Sequence, residues 1–469
     1  MEIYVVKSGD NLWLIAQRFG VDINQISLAN ELNNPNQLVV GQSLVIPEPG
    51  REYVVQSGDT LVRIASMFDV SVQKLAEANN ITSGVIYVGQ MLELPYFMHT
   101  VNLGETIWSI AQRYGSSVDT ILQANDIAEP GLIYPGQSIR IPAPERPVTE
   151  VNAYTTQIGE QGRRKVLALG RNFTYLAPFS YHVNADGTLQ ALQETPVLEA
   201  AHETNTAPLL VVTNFSEDGG FSSDNAASIL RNPDVQDTLI NNLLEIMNSK
   251  GYAGVNFDFE YVYPEDRENY NNFLRRVVER LHPEYLVSTA LAPKESADQS
   301  GLLYEAHDYQ TQGEIVDFIV SMTYEWGWAG GRPWAIAPVN EVRNVLDFAV
   351  SVVPRDKIMM GVPLYGRDWE IPWQEGTTAR TISPQDAVQL AVQYGVPIEY
   401  NEEYQAPFFH YTDETGQRHE VWFEDARSMQ AKYDLIKEYN LRGPSYWVLG
   451  NVFPQNWAVL QDNFSVRKL

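Results

Sequence analysis

Gly254-Val255-Asn256-Phe257-Asp258-Phe259-Glu260 is the stretch whose reading decides the fold of the larger part of this chain. Side chains alternate along a β-strand, so Asn256, Asp258 and Glu260 share one face while Phe257 and Phe259 share the other. With the aromatics packed on a covering helix, the three polar groups point into the sheet's interior. Carboxylates there are costly unless paired or used. At a rise of ~3.4 Å per residue the Cα atoms of Asp258 and Glu260 stand roughly 6 to 7 Å apart. The two acids can then share a hydrogen bond, and one of them keeps a proton near neutral pH. A metal site is the rival reading of an Asp-x-Glu pair. No His pair lies nearby, and none of the seven histidines has zinc-protease spacing, so no metal and no cofactor is expected.

Working outward, short apolar runs alternate with helical patterns over residues 149–469. The strand candidates are Glu150 to Tyr154, Tyr175 to Ser180, Leu209 to Asn214, Gly254 to Glu260, Leu286 to Leu291, Phe318 to Tyr324, Ile358 to Pro363 and Gly443 to Leu449. Helices are predicted at Asp234 to Lys250 and Pro264 to Leu281, among others. Eight such strands predict a (β/α)8 barrel, whose catalytic groups sit at the C-terminal ends of the strands. Tyr400 to Asp425, with His410, His419 and several acids, reads as a surface hairpin of no assigned role.

Residues before this region repeat three times. Tyr4-Val5-Val6-Lys7-Ser8-Gly9-Asp10-Asn11-Leu12-Trp13 matches Tyr53-Val54-Val55-Gln56-Ser57-Gly58-Asp59-Thr60-Leu61-Val62 and His99-Thr100-Val101-Asn102-Leu103-Gly104-Glu105-Thr106-Ile107-Trp108. The equivalent glycines are 46 to 49 residues apart. Each repeat reads as strand, amphipathic helix, second helix and returning strand, with Asp22, Ser71 and Ser117 placed to cap the second helix. The predicted units are 1–48, 51–96 and 97–143, followed by a Pro-rich hinge over 142–147 and the barrel over 149–469.

Composition narrows the function classes. A net charge of -27 argues against nucleic acid as a partner, since its phosphates would be repelled. The acidity is spread out, with eight Lys/Arg against fifteen Asp/Glu in residues 1–147. Zero cysteines exclude a disulfide framework, thiolate zinc and a thiol nucleophile. No run of eighteen apolar residues could span a membrane. The start, Met1-Glu2-Ile3-Tyr4-Val5-Val6-Lys7, lacks the basic and apolar regions of a signal peptide, so synthesis in the cytoplasm without ordinary secretion is expected.

The three repeats resemble LysM domains, which implies binding of N-acetylglucosamine-containing glycans such as peptidoglycan or chitin. The resemblance places the sugar contacts at Gly9, Asp10, Gly58, Asp59, Thr60, Gly104, Glu105 and Thr106, with Asn30, Asn79 and Asn125 nearby. Gly, Asp and Asn at these places would also form the turns and caps by themselves. Weak sites in tandem gain avidity on a repetitive polymer.

The fourth strand resembles the signature of glycoside hydrolase family 18, Asp-x-x-Asp-x-Asp-x-Glu. The matching positions are Ala253, Asn256, Asp258 and Glu260, so the last two acids are kept, the second is an amide and the first is lost. Asn256 is expected to hydrogen-bond Asp258. Met322-Thr323-Tyr324-Glu325, Gly361 to Arg367 and Ser445-Tyr446-Trp447 resemble the family's sixth, seventh and eighth strand ends. The resemblance implies substrate-assisted, retaining hydrolysis. Glu260 is the acid and then the base, Asp258 orients the 2-acetamido group, and Tyr324 bonds its oxygen. Trp447 forms the floor of the site, and Asn256, Glu325, Tyr365, Trp326 and Trp328 are further candidates for contact with the substrate.

LysM repeats, a family 18 barrel and the absence of a signal peptide together resemble the spore cortex-lytic N-acetylglucosaminidases of endospore formers. That resemblance implies location in the spore coat and cortex region, spore-coat proteins as partners, and action on cortex peptidoglycan during germination. Two alternatives stand beside it. One is a chitinase, since both polymers contain N-acetylglucosamine. The other is a catalytically silent glycan-binding coat protein, which would be expected to lack Glu260.

Overall fold

In the computed structural model, residues 1–48, 50–143, 146–216 and 219–469 are described. Pro144 and Glu145, in the predicted hinge, lie outside them. The chain divides into two compact units. One contains Met1–Leu38, Ser43–Val148 and Pro454–Ser465; the other contains Val39–Gln42, Thr149–Phe453 and Val466–Leu469.

Each repeat in the first unit is a β-α-α-β module. Its strands pair antiparallel: Glu2–Val5 with Ser43–Ile46, Glu52–Val54 with Met91–Glu93, and Tyr96–Thr100 with Ser138–Pro142. The helical spacing of Leu12, Ile15 and Ala16 turns one face of the helix Leu12–Phe19 onto a small core with Tyr4, Ile26, Leu44 and Ile46. Asp22, Ser71 and Ser117 cap the second helices, accepting from the backbone N–H of Asn24, Lys74 and Thr120. This is the role their position predicts.

The second unit is built on eight parallel strands: Asn152–Thr155, Tyr175–Pro178, Ala207–Thr213, Gly254–Asp258, Leu286–Leu291, Phe318–Ser321, Ile358–Pro363 and Gly443–Leu449. Each pairs with the next in chain order, and the eighth pairs with the first, closing the barrel. The fourth strand is covered by the helix Arg267–Leu281. Phe257 meets Phe273 edge-on at 5.1 Å, and Phe259 stacks on Tyr270 at 5.7 Å. The aromatic row therefore faces outward and the polar row inward.

Two expectations need correction. The third strand ends at Thr213, the fourth at Asp258 and the sixth at Ser321, so Asn214, Glu260 and Tyr324 stand beyond the ladder on the rim. Strand composition does not mark the point where neighbours diverge and pairing stops. The second correction concerns Tyr400 to Asp425. It is no isolated hairpin but part of a five-stranded antiparallel sheet between the seventh and eighth barrel strands, formed by Gly366–Ile371, Arg380–Ile382, Glu399–Asn401, Ala406–Thr412 and Arg418–Trp422. The helix Pro384–Tyr394 packs on it through Ala387 and Ala391.

Candidate active site

The inward row of the fourth strand begins with Asn256, whose amide is engaged at both ends. Its Oδ1 accepts from the Tyr154 hydroxyl at 2.8 Å, and its Nδ2 donates to Ser288 Oγ at 3.0 Å. The expected bond from Asn256 to Asp258 is therefore absent. Tyr154 on the first strand and Ser288, register partner of Asn256 on the fifth, take up the amide instead.

Asp258 comes next, buried, with Oδ1 lacking any hydrogen-bond partner among the described residues. The expected hydrogen bond between Asp258 and Glu260 is likewise missing among them. The strand ends at Asp258, and Glu260 follows it on the rim. Burial nevertheless raises the pKa of both carboxyls. For Glu260 the charges of Asp258 and Glu325 push in the same direction as burial.

Tyr324 reaches the same space from the loop after the sixth strand. Its ring approaches the seventh strand at Gly361, where an added Cβ would lie 2.7 Å from both Tyr324 Cε1 and the Ser321 carbonyl oxygen. Burial, then the neighbouring Tyr154, Asp258, Tyr365 and Glu260, hold the Tyr324 hydroxyl well above the usual phenol range, so it is a neutral donor. Glu325, at φ 70°, accepts from the Tyr365 hydroxyl and from Arg367 Nη2 at 2.8 Å. The guanidinium of Arg367 also lies 4.9 Å from the Tyr365 ring centre. Trp447 packs edge-on against Tyr154 at 5.6 Å and Phe179 at 4.8 Å. Trp328 is 56% exposed, over Gly330 and Gly331. Trp326 is half-buried, its backbone N–H donating to the Ile336 carbonyl.

The structure thus brings Asn256, Asp258, Glu260, Tyr324, Glu325, Tyr365 and Trp447 to one end of the barrel. Among the described residues no group of three or more His, Cys, Asp or Glu could hold a metal ion. A cavity of about 670 Å³ lies elsewhere, in the inserted sheet, beside Asp368, Arg380, Tyr411 and His419.

In the repeats, the predicted sugar contacts have work within the fold. Asp10 accepts from the Tyr4 hydroxyl and the Lys7 N–H, and Asp59 from Tyr53 and Gln56 in the same way. Glu105 bonds His99, the Asn102 N–H and Arg113. Gly9, Gly58 and Gly104 turn at φ 85 to 88°, where a side chain would be strained. Thr60 and Thr106 cap the following helices. Asn30 and Asn79 are buried and Asn125 half-buried, each tying its helix to the last strand of its repeat.

Residues 153–451 match the glycosyl hydrolases family 18, and residues 4–47, 53–95 and 99–142 match the LysM domain. The chain belongs to glycosyl hydrolase family 18. It is 42% identical to the cortical fragment-lytic enzyme of Bacillus subtilis (strain 168), across 100% of this chain and 99% of the relative. The crystal structure of the Bacillus megaterium QM B1551 spore cortex-lytic enzyme SleL superposes with a TM-score of 0.79 at 41% identity, covering 100% of this chain and 99% of that one. A chitinase from Chromobacterium violaceum ATCC 12472 aligns with 67% of this chain and 98% of its own, at 25% identity and a TM-score of 0.62. Membership makes the chain a glycoside hydrolase, with the barrel as its catalytic part and the LysM modules as glycan binders. The candidate site also draws on residues to which the sequence alone assigned no role. Tyr154 and Ser288 hold Asn256, and Arg367 neutralises Glu325. Arg367 is the last residue of the seventh-strand motif, whereas Tyr154 and Ser288 carry no local signal.

Proposed function

We propose that this family 18 enzyme cleaves β-1,4 bonds after N-acetylglucosamine in spore cortex peptidoglycan or its fragments, with substrate assistance and net retention. The reading is carried by one buried pair of carboxyls, both pushed toward the protonated form, in which Asp258 has an oxygen without a hydrogen-bond partner among the described residues. The full-length likeness to relatives named as cortex-lytic supports the choice of polymer.

In this reading Glu260 protonates the glycosidic oxygen as the bond to the anomeric carbon breaks. The carbonyl oxygen of the sugar's own 2-acetamido group attacks that carbon from the opposite face, giving an oxazolinium ion. Asp258, through its free oxygen, accepts the acetamido N–H and stabilises the developing positive charge. The Tyr324 hydroxyl donates to the acetamido oxygen. Glu260, now ionised, takes a proton from water, which opens the ring with overall retention. Trp447 offers its face to the distorted sugar. Asn256 keeps Tyr154 and the fourth strand in register without adding a third negative charge.

The LysM modules hold the enzyme on the polymer, and the protein is placed in the spore coat and cortex region, alongside coat proteins, after synthesis in the cytoplasm. Incubation with soluble cortex fragments and, separately, chitin oligomers, followed by mass analysis of the products, tests the assignment. Cleavage of the cortex fragments is expected. Turnover of chitin oligomers alone would replace it with a chitinase reading, and no turnover of either would favour a silent binder.

A further inference from the structure

The acid Glu260 stands two residues past the end of its strand, where backbone pairing no longer holds it. Pairing with both neighbouring strands stops short of it as well. On one flank the ladder ends at the Thr213–Asp258 pair, and on the other at the Phe257–Thr289 pair. An unpaired rim segment would be free to move the carboxyl by an ångström or more. The structure closes both flanks with side chains.

On the third-strand flank, the fully buried Asn214 acts as an extra rung. Its Oδ1 accepts the Glu260 N–H at 3.0 Å, and its Nδ2 donates to the Glu260 carbonyl oxygen at 2.9 Å and to the Ser222 carbonyl oxygen at 2.9 Å. One amide thus holds both backbone polar groups of the acid. On the fifth-strand flank stands His307, also buried. The Ala292 N–H donates to its Nδ1 at 2.7 Å, which fixes the proton on Nε2, and Nε2–H donates to the Phe259 carbonyl oxygen at 2.9 Å. Burial lowers the His307 pKa to about 4, so this neutral tautomer persists across the working range of a glycosidase.

We infer that Asn214 and His307 are positioning residues for the acid, extending the fourth strand by two residues on side-chain hydrogen bonds and holding the Glu260 carboxyl where the glycosidic oxygen arrives. The inference rests on Glu260 being the general acid. A misplacement of about 1 Å costs on the order of 10²-fold in rate even when binding is intact. A rim segment held only by its own backbone would be exposed to such losses.

The two histidine contacts can be separated. In His307→Gln the terminal amide stands near the Nε2 position and can still donate to the Phe259 carbonyl. In His307→Asn the shorter amide can keep Ala292 but cannot reach Phe259. Steady-state kinetics on soluble cortex fragments, with melting temperature and pH profile, would be measured for Asn214→Leu, His307→Asn, His307→Gln and Glu260→Gln. The expected result is a fall in kcat of about 10- to 100-fold for Asn214→Leu and His307→Asn, with KM within about twofold. The basic limb of the pH profile should shift, and His307→Gln should recover most of the rate. Wild-type kcat in folded Asn214→Leu and His307→Asn, with Glu260→Gln inactive, would overturn the positioning role alone. Equal losses in His307→Asn and His307→Gln that follow melting temperature would overturn it too, as a purely structural effect. Activity in Glu260→Gln would instead remove the acid assignment beneath it.

Discussion

Asp258 and Glu260 are carboxyls that the fold holds toward the protonated form, and this has consequences for both rate and stability. Glu260→Gln should lower kcat by about 10³-fold or more while leaving binding to insoluble wall unchanged, as measured by turnover and by pull-down. A carboxyl whose folded pKa lies above its unfolded value takes up protons on folding. Its stabilising share is present in full below the unfolded pKa and is lost as pH rises through the folded pKa. Both acids are raised, Asp258 to about 7, so the barrel should lose stability as pH climbs from about 4 towards 8. Asp258→Asn should therefore raise the melting temperature by a few degrees at pH 8 and have little effect at pH 4. An increase of equal size at both pH values would show that the charge is not what costs stability. The acid pair and the motif around it were legible from residue order alone. The partners of Asn256 were not, because its own amide can bond in several directions and the choice fell to Tyr154, 102 positions away.

At the scale of elements, close approaches carry the site. Gly361 on the seventh strand leaves room for the Tyr324 ring, and a methyl group there would sit 2.7 Å from the ring and from the Ser321 carbonyl. Gly361→Ala should displace Tyr324 and reduce kcat by roughly 10- to 100-fold in a protein that remains folded, checked by kinetics beside circular dichroism. In the modules, Asn79 donates to the Leu75 and Glu93 carbonyls and accepts the Glu93 N–H, all at 2.8 Å. Asn79→Ala leaves those groups unpaired and should destabilise the second repeat by about 2 kcal/mol. The check is faster hydrogen exchange in Met91–Glu93 with the barrel amides unchanged. The module elements were readable because their turn glycines, caps and apolar spacing are all local. The inserted sheet was not, since its strands pair across gaps filled by a helix and loops, and Gly366–Ile371 meets Arg418–Trp422 some fifty residues on.

For the whole molecule, a family 18 hydrolase joined to three glycan-binding modules separates cutting from holding. Residues 146–469 alone should lose retention on insoluble wall by about 10²-fold or more, because three tandem contacts act through effective concentration. Their kcat/KM on soluble fragments should stay within a few-fold of the full chain. In that truncation Gln455 loses Asn30 and the Ser43 carbonyl, to which it donates at 2.8 Å, so folding is followed by circular dichroism. Equal wall retention by the shortened protein would take the modules out of the account.

Periodicity, caps and repeat spacing determined on their own that there are three small modules and a barrel, because each reports the exposed and buried faces of one element. They also determined that Asp258 and Glu260 belong to the rim of the fourth strand. Only the tertiary structure decided where pairing stops, that Asn256 turns to Tyr154 and Ser288, that Glu325 is neutralised by Arg367, and that Asn214 and His307 flank the acid. These are hydrogen bonds between strands and loops far apart in the chain. Their partners are selected by barrel register and closure, which no single element's pattern contains.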